Sequence, residues 1–377
     1  MINTKDFYEY LLSKEIDFFA GVPDSLLKNL CSCIKDNTPR EKNIITANEG
    51  NAVGMCSGYN ISTGKYGVVY MQNSGLGNVV NPLLSLDDEE VYSIPMLLII
   101  GWRGEPGKHD EPQHVKQGKV TLKLLDAIDV KYEILDDNYK EQIDKCVELM
   151  HEFKKPVALV VRKNTFSEYL FPSEVNPFSM TREQALKEII SCLNEEDFIV
   201  STTGKTSREV FEIREANHQG HSNDFLTVGS MGHTSSIAYG ISIGTDKNVY
   251  CIDGDGSFIM HMGAAGVIGS NSRKNFKYIL NNNGAHESVG GQPTCAFDLD
   301  IPSILKACGF INVHIAKNIP EIDIALKMMR NEDKTALILY TKQGSREDLG
   351  RPTITPIKNK ENMMKKIGVK KDESNNI

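Results

Sequence analysis

The chain has 377 residues, of which 40% are apolar and 24% charged, and its formal charge is −8. This is the composition of a soluble globular protein long enough for about two domains, and its acidity argues against nucleic acid or an anionic membrane as a partner. No apolar run reaches the roughly 18 residues of a membrane span, and the start, "MINTKDFYEYLL", lacks the basic region and apolar core of a secretion signal, so a cytoplasmic setting is expected.

The first half alternates short apolar runs with stretches of helical length. Strands are expected at 17–22, 43–46, 67–71, 94–100, 131–135 and 157–161. Helices are expected at 48–62, 75–86, 114–127 and 138–153. Strands alternating with helices predict a parallel sheet built from crossover units. The pattern lapses over 162–181, "RKNTFSEYLFPSEVNPFSMT", which has two prolines and no clean period. A second series follows: a helix at 181–194, then strands at 198–201, 248–253, 276–280, 311–316 and 336–341. The expected fold class is therefore α/β, with two parallel-sheet domains. One covers 1–165 and the other 181–345, with a linker at 166–180 and a C-terminal extension at 346–377 whose polar end is expected to fray. The eight cysteines are scattered with no CxxC pair, as expected for reduced thiols.

Chemistry concentrates where the second series turns polar. "VYCIDGDGSF" carries an apolar strand into Gly254-Asp255-Gly256, and Ser257 opens the next helical pattern. Ligands bind at the carboxyl ends of parallel strands, and a helix N-terminus suits a phosphate. A carboxylate beside a phosphate site is explained by a bridging divalent cation, and Mg²⁺ prefers one or two protein oxygens plus phosphate oxygens. A neighbouring strand, "FKYILNNNGAH", ends in Asn281-Asn282-Asn283-Gly284. The Asn282 side chain and the Gly284 carbonyl are the natural further ligands. An EF-hand does not fit, because the glycine required at position six is missing. "TTGKTS" at 202–207 lacks the first glycine of a phosphate loop.

The strand–GDG–helix–strand–Asn-Asn pattern resembles the thiamine diphosphate motif of the decarboxylase and carboligase superfamily. The resemblance implies that Asp255, Asn282 and Gly284 hold Mg²⁺, that Gly254 and Ser257 meet the cofactor's diphosphate, and that Gly204, Lys205 and Thr206 are further contacts. It implies a first domain that binds the cofactor's pyrimidine, a second that binds its diphosphate, and no middle domain. It also implies a homo-oligomer, at least a dimer with active sites at the interface. "IITANEGNAVGMCSGYN" is similar to the family's pattern around its catalytic glutamate, which makes Glu49 the group that hydrogen-bonds the aminopyrimidine. "TVGSMGHTSSIAYG" resembles the segment that clamps that ring, with Gly229 and Met231 as contacts.

Three stretches, 21–30, 101–118 and 281–294, resemble the members that decarboxylate phosphonopyruvate, in phosphonate biosynthesis. Members acting on sulfopyruvate, and carboligases, are the alternatives; a non-catalytic cofactor-binding scaffold is the reading from a different class. The resemblance implies that Asp24, His109, His114 and His286 serve proton transfer. Ser25, Arg103, Lys108, Gln117, Gly290 and Gly291 are the candidates to hold the substrate, since arginine binds two phosphonate oxygens at once and successive backbone N–H groups form anion nests.

Overall fold

A computed structural model describes residues 1–170 and 176–369. Two compact units are present. The first holds Met1–Ser173 together with His286–Pro293, and the second Glu174–Ala285 together with Thr294–Ile377.

In the first unit the strands are β1 (Phe18–Gly21), β2 (Asn43–Ile45), β3 (Gly67–Gln72), β4 (Leu97–Gly101), β5 (Lys131–Ile134) and β6 (Val157–Val161). The helices are α1 (Thr4–Ser13), α2 (Lys28–Asn37), α3 (Glu49–Thr63), α4 (Leu76–Ser85), α5 (Pro112–Ala127) and α6 (Tyr139–Phe153). The sheet order is β2-β1-β3-β4-β6-β5, with every neighbouring pair parallel. β3, β4 and β6 are buried along nearly their whole length, so they read as continuous apolar runs, as strands covered on both faces do. One apolar cluster lies on each face of the sheet. Phe7, Leu11, Leu30, Tyr70, Ile99 and Leu159 belong to one. Val53, Val69, Met71, Leu98, Ile100 and Val160 belong to the other.

In the second unit the strands are β7 (Phe198–Ser201), β8 (Asp224–Leu226), β9 (Val249–Gly254), β10 (Phe276–Asn282), β13 (Asn312–Ala316) and β14 (Thr335–Tyr340). Two two-residue strands, β11 (Ala285–His286) and β12 (Gln292–Pro293), fall between β10 and β13 in the chain. The helices are α7 (Arg182–Cys192), α8 (Lys205–Ala216), α9 (Thr234–Ile243), α10 (Asp255–Met260), α11 (Gly263–Asn271), α12 (Ile301–Ala307), α13 (Ile319–Met329) and α14 (Pro356–Ile367). The sheet order is β13-β14-β10-β9-β7-β8, again parallel throughout. Counted from its own first strand, this is the topology of the first sheet. In each sheet successive connections diverge in opposite directions between two central strands, β1 and β3 in the first and β7 and β9 in the second. At such a point the carboxyl ends of neighbouring strands open a crevice for a ligand.

β8 is absent from the sequence reading because it is three residues long and one of them is a buried acid. Asp224 is fully buried, and Arg214 of α8 grips both its oxygens at 3.1 and 3.0 Å. An ion pair of this kind offsets the cost of burial only while both partners stay. The stretch read as a linker is anchored at its described ends, since Phe166 packs in the first unit's core and Met180 in the second's. The C-terminal extension contains a docked helix: Asn359 of α14 accepts from the Leu226 N–H, donates to the Asp224 carbonyl, and so closes the open edge of β8. Residues 370–377, the part expected to fray, lie outside the described residues. The eight cysteines are all free thiols. Among the described residues no helix is long and apolar enough to cross a membrane.

Asp87, in the loop after α4, is fully buried. Its Oδ1 accepts from Ser57 Oγ at 2.7 Å and its Oδ2 has no partner. Burial, only partly opposed by that hydrogen bond, pushes its carboxyl up to about 7. The folded value lies above the unfolded one, so the protonated form favours folding at low pH, and that contribution disappears as pH rises through 7. Chemical denaturation of wild type and Asp87→Asn should therefore show the variant gaining on wild type between about pH 4 and 7. The gain should be on the order of 4 kcal/mol and flat above pH 8; a difference that does not change with pH would contradict it.

Candidate active site

Asp255 is the first residue of α10, directly after β9, and is 3% exposed. Asn281 pairs with Gly254 across the parallel ladder, so Asn282 stands beside Asp255 on the same carboxyl edge. Asn282 is fully buried, and its Oδ1 accepts from the Gly284 N–H at 3.1 Å. Gly284 has φ +71, and a Cβ there would lie 2.2 Å from the Phe297 ring, so this turn requires glycine. Asp255 has one side-chain donor, Thr294 Oγ1 at 2.6 Å. Burial pushes its carboxyl up to about 6 despite bonds from Thr294 and from backbone amides, Gly284's among them. A buried carboxylate with no countercharge is costly, and a cation on this edge would remove that cost. A carboxylate, an amide oxygen and the Gly284 carbonyl are hard donors that fit a divalent ion which completes its shell with phosphate oxygens.

The rest of this edge supports the same site. Gly204, at φ +85, lets the chain leave β7 and enter α8 at Lys205, and Thr206 is buried in its first turn. Asp253, buried two residues before Asp255, is a group the sequence reading missed. Its Oδ1 accepts from the Gly254 N–H at 2.9 Å and its Oδ2 from Tyr278 Oη at 3.2 Å. It also bonds Ser257 and Thr202, which joins the ends of β7 and β9 at the switch point. Ser257 Oγ in turn accepts from the Gly232 N–H at 3.1 Å, which fixes the segment bearing Gly229 and the half-buried Met231 over α10.

In the first unit Glu49 opens α3. Asn48 caps that helix by accepting from the Asn51 N–H. Glu49 is 4% exposed, and Asn78 of α4 donates to its Oε2 at 2.6 Å. Gly75 faces it so closely that a Cβ there would lie 2.5 Å from Oε1. Asn78 and Gly75 carry no sequence signal of their own, because both are partners by proximity.

Asp24, fully buried, sits at this sheet's switch point. Its Oδ1 accepts from Gln72 Nε2 at the end of β3 at 2.7 Å, and its Oδ2 from the Leu26 N–H at 2.9 Å. A Cβ on Gly101 would lie 2.2 Å from Oδ2, so β4 also makes room for this carboxylate. Burial raises its affinity for a proton, although Gln72, Leu26 and Arg103 pull the other way.

Of the candidates between 103 and 117, Arg103 and His114 share one acid, Asp110. Arg103 gives Nε and Nη2 to Asp110 at 2.9 and 2.5 Å, and Nη1 to Ser25 Oγ at 2.8 Å. His114 is buried with Nδ1 2.8 Å from Asp110, whereas Lys108, His109 and Lys116 are exposed. Gln117 lies one turn along α5 and is half-buried. Ser25 and Arg103 are therefore brought together near Asp24, and His114 joins Arg103 through Asp110, while Lys108 and His109 are not held by any of these groups. The expectation of an anion nest at Gly290-Gly291 is corrected. Both have positive φ, +117 and +75, but the Gly291 N–H is spent on the His286 carbonyl. The segment lies against α2, with Gln292 Nε2 donating to Ser32 Oγ at 3.2 Å. Burial pushes the His286 imidazole down to about 4.

Comparison with known proteins agrees with this arrangement. The family model for the thiamine pyrophosphate enzyme N-terminal TPP binding domain matches residues 3–125, and that for the C-terminal TPP binding domain matches 202–339. A phosphonopyruvate decarboxylase of Streptomyces viridochromogenes is 31% identical over 94% of this chain and 92% of its own length. Another, of Streptomyces hygroscopicus, is 30% identical over the same shares. A sulfopyruvate decarboxylase of Methanosarcina acetivorans is 30% identical over 81% of this chain and 82% of its own. The chain belongs to the thiamine pyrophosphate enzymes, and within them it is a thiamine diphosphate-dependent decarboxylase built from two parallel-sheet domains.

Proposed function

We propose that this enzyme converts 3-phosphonopyruvate to phosphonoacetaldehyde and CO₂ with Mg²⁺ and thiamine diphosphate, as a step of phosphonate biosynthesis. The observation that carries the substrate is the match over 94% of the chain to proteins named for it, against 81% for the single-chain sulfopyruvate decarboxylase. Sulfopyruvate is the second reading, because that relative is almost as similar in identity.

In this reading Asp255, Asn282 and the Gly284 carbonyl hold Mg²⁺, and the cation and the α10 N-terminus with Ser257 hold the diphosphate. Gly204, Lys205 and Thr206 lie at a second helix start on the same edge, where the free amides suit the same charge. The bound cofactor supplies the electron sink for the pair left when the carboxyl carbon departs. Glu49 hydrogen-bonds the aminopyrimidine, buried so that its carboxylate acts in a low-dielectric setting. Asp24 holds the proton that the former carbonyl carbon takes up after CO₂ leaves, because burial favours its protonated form. His114 and His286 are the further proton-transfer candidates, and His286, which burial pushes down to about 4, acts as a hydrogen-bond partner rather than a cation. Arg103 and Ser25 address the substrate's second anionic group. Gly54 and Gly58 on α3 and Gly263 and Gly266 on α11 face open space, and such small-residue helix faces suit a second copy of the chain, so in this reading the enzyme works as a homo-oligomer of at least two subunits; a cytoplasmic setting completes the reading.

Steady-state CO₂ release from phosphonopyruvate, sulfopyruvate and pyruvate, compared side by side, should favour phosphonopyruvate by at least roughly tenfold in kcat/KM, about 1.4 kcal/mol of transition-state discrimination. Equal rates with sulfopyruvate would overturn the substrate and leave the cofactor site untouched. Glu49→Gln should lower kcat by at least about 100-fold while cofactor affinity, followed by tryptophan fluorescence, stays within a few-fold. Gly75→Ala, which crowds Glu49, should lower kcat in the same direction with little change in melting temperature; a fully active Gly75→Ala enzyme would count against Glu49.

A further inference from the structure

One carboxylate in the first unit gathers more donors than any structural turn needs. Asp110 accepts from Arg103 Nε and Nη2 at 2.9 and 2.5 Å, from the Gly104 and Glu111 N–H groups at 2.8 Å each, and stands 2.8 Å from His114 Nδ1. Its side chain is 13% exposed and that of His114 11%. Asn73 fixes the same loop from the other side, donating to the Arg103 carbonyl at 2.8 Å and accepting from the Arg103 N–H at 3.2 Å. Gly104, with φ +71, lets the chain pass so close to α5 that a Cβ would lie 2.0 Å from the His114 carbonyl.

We propose that Asp110 is a positioning residue that sets the orientation of Arg103 and the tautomer of His114. An ionised carboxylate only accepts. Its contact with Nδ1 therefore requires the proton on that nitrogen, which leaves Nε2 as the accepting atom of the neutral ring. The planar guanidinium gives its Nε–Nη2 edge to Asp110 as a fork, and the remaining Nη1 is thereby directed at Ser25, next to Asp24. Burial works against the charge on Asp110, but Arg103, His114 and the two amides outweigh it and hold the carboxyl well below the usual range. A carboxylate that accepts from the guanidinium fork and two amides has only acceptor atoms to offer the ring, and so it holds the His114 proton on Nδ1. A single side chain fixes one atom for proton transfer and one for anion recognition. That assignment of roles to His114 and Arg103 rests on the proposed function; the positioning itself does not.

The test is ¹⁵N NMR of the His114 imidazole, with no keto acid present, alongside steady-state kinetics on Asp110→Ala and Asp110→Glu in the full-length holoenzyme. In wild type the neutral ring should carry its proton on Nδ1. In Asp110→Ala it should move to Nε2, with kcat/KM lowered at least tenfold and cofactor affinity within about twofold of wild type. Asp110→Glu should restore the Nδ1–H tautomer and part of the activity. If Asp110→Ala does not fold, Asp110→Asn serves for the same two readouts. A wild-type ring protonated on Nε2, or a variant with wild-type kcat/KM, would overturn the proposal. Because the tautomer is read without substrate, a wrong substrate assignment would show in the CO₂ assay alone.

Discussion

The second unit is organised around a carboxylate that has been carried out of water and given too few partners. Asp255 is 3% exposed, with one hydroxyl and a few amides for company. Burial of that kind is tolerated in folded proteins when a cation or a strong donor arrives to compensate it. The surrounding sequence is arranged for the former. Asn282 stands on the adjacent strand end, and the Gly284 carbonyl accepts from the N–H of Thr294 at 2.9 Å, the residue whose hydroxyl bonds Asp255. On the proposed reading the ion completes this edge and the diphosphate completes the ion.

The same logic explains why two sheets of one topology divide the labour differently. Each opens a crevice where its strand order reverses, and each places a buried acid there: Asp24 between β1 and β3, Asp253 between β7 and β9. The second crevice leads into the N-terminus of α10 and suits an anion. The first is closed in by Gln72, Arg103 and Gly101 and suits a group that must hold a proton out of water. Glu49 belongs to a third position, the start of α3, where Asn78 and Gly75 define its place. On the proposed reading decarboxylation needs these functions separated, since a metal-binding carboxylate must stay ionised while a proton donor must not.

Much of this was legible in the chain itself. Alternating apolar runs gave two parallel α/β sheets, because buried parallel strands are short and almost wholly apolar. The Gly-Asp-Gly and Asn-Asn pattern located the ends of β9 and β10, because few sequences end two strands so abruptly in polar residues. What stayed hidden depends on proximity. Asn78, Gln72, Thr294 and Asp253 are ordinary residues in ordinary segments until the fold sets them against Glu49, Asp24 and Asp255. β8 was too short and too polar to show a period. α14 was concealed in a lysine-rich stretch that docks through Asn359, which accepts one hydrogen bond from β8 and donates another, and through buried Met363. The stretch at 103–116 misled in the opposite sense: its Arg, Lys and His residues stand out, but Glu105, Asp110 and Glu111 balance Arg103, Lys108 and Lys116, and Asp110 pairs with Arg103 and lies against His114.

The most direct measurement of the central claim is calorimetric titration of thiamine diphosphate into the metal-free protein, with and without Mg²⁺, for wild type and Asp255→Ala. A cation held between Asp255, Asn282 and the diphosphate predicts that Mg²⁺ tightens cofactor binding to wild type by at least about 100-fold, near 2.7 kcal/mol, and scarcely affects the variant. Equal affinity with and without the metal, or an Asp255→Ala protein that keeps the full metal dependence, would contradict it.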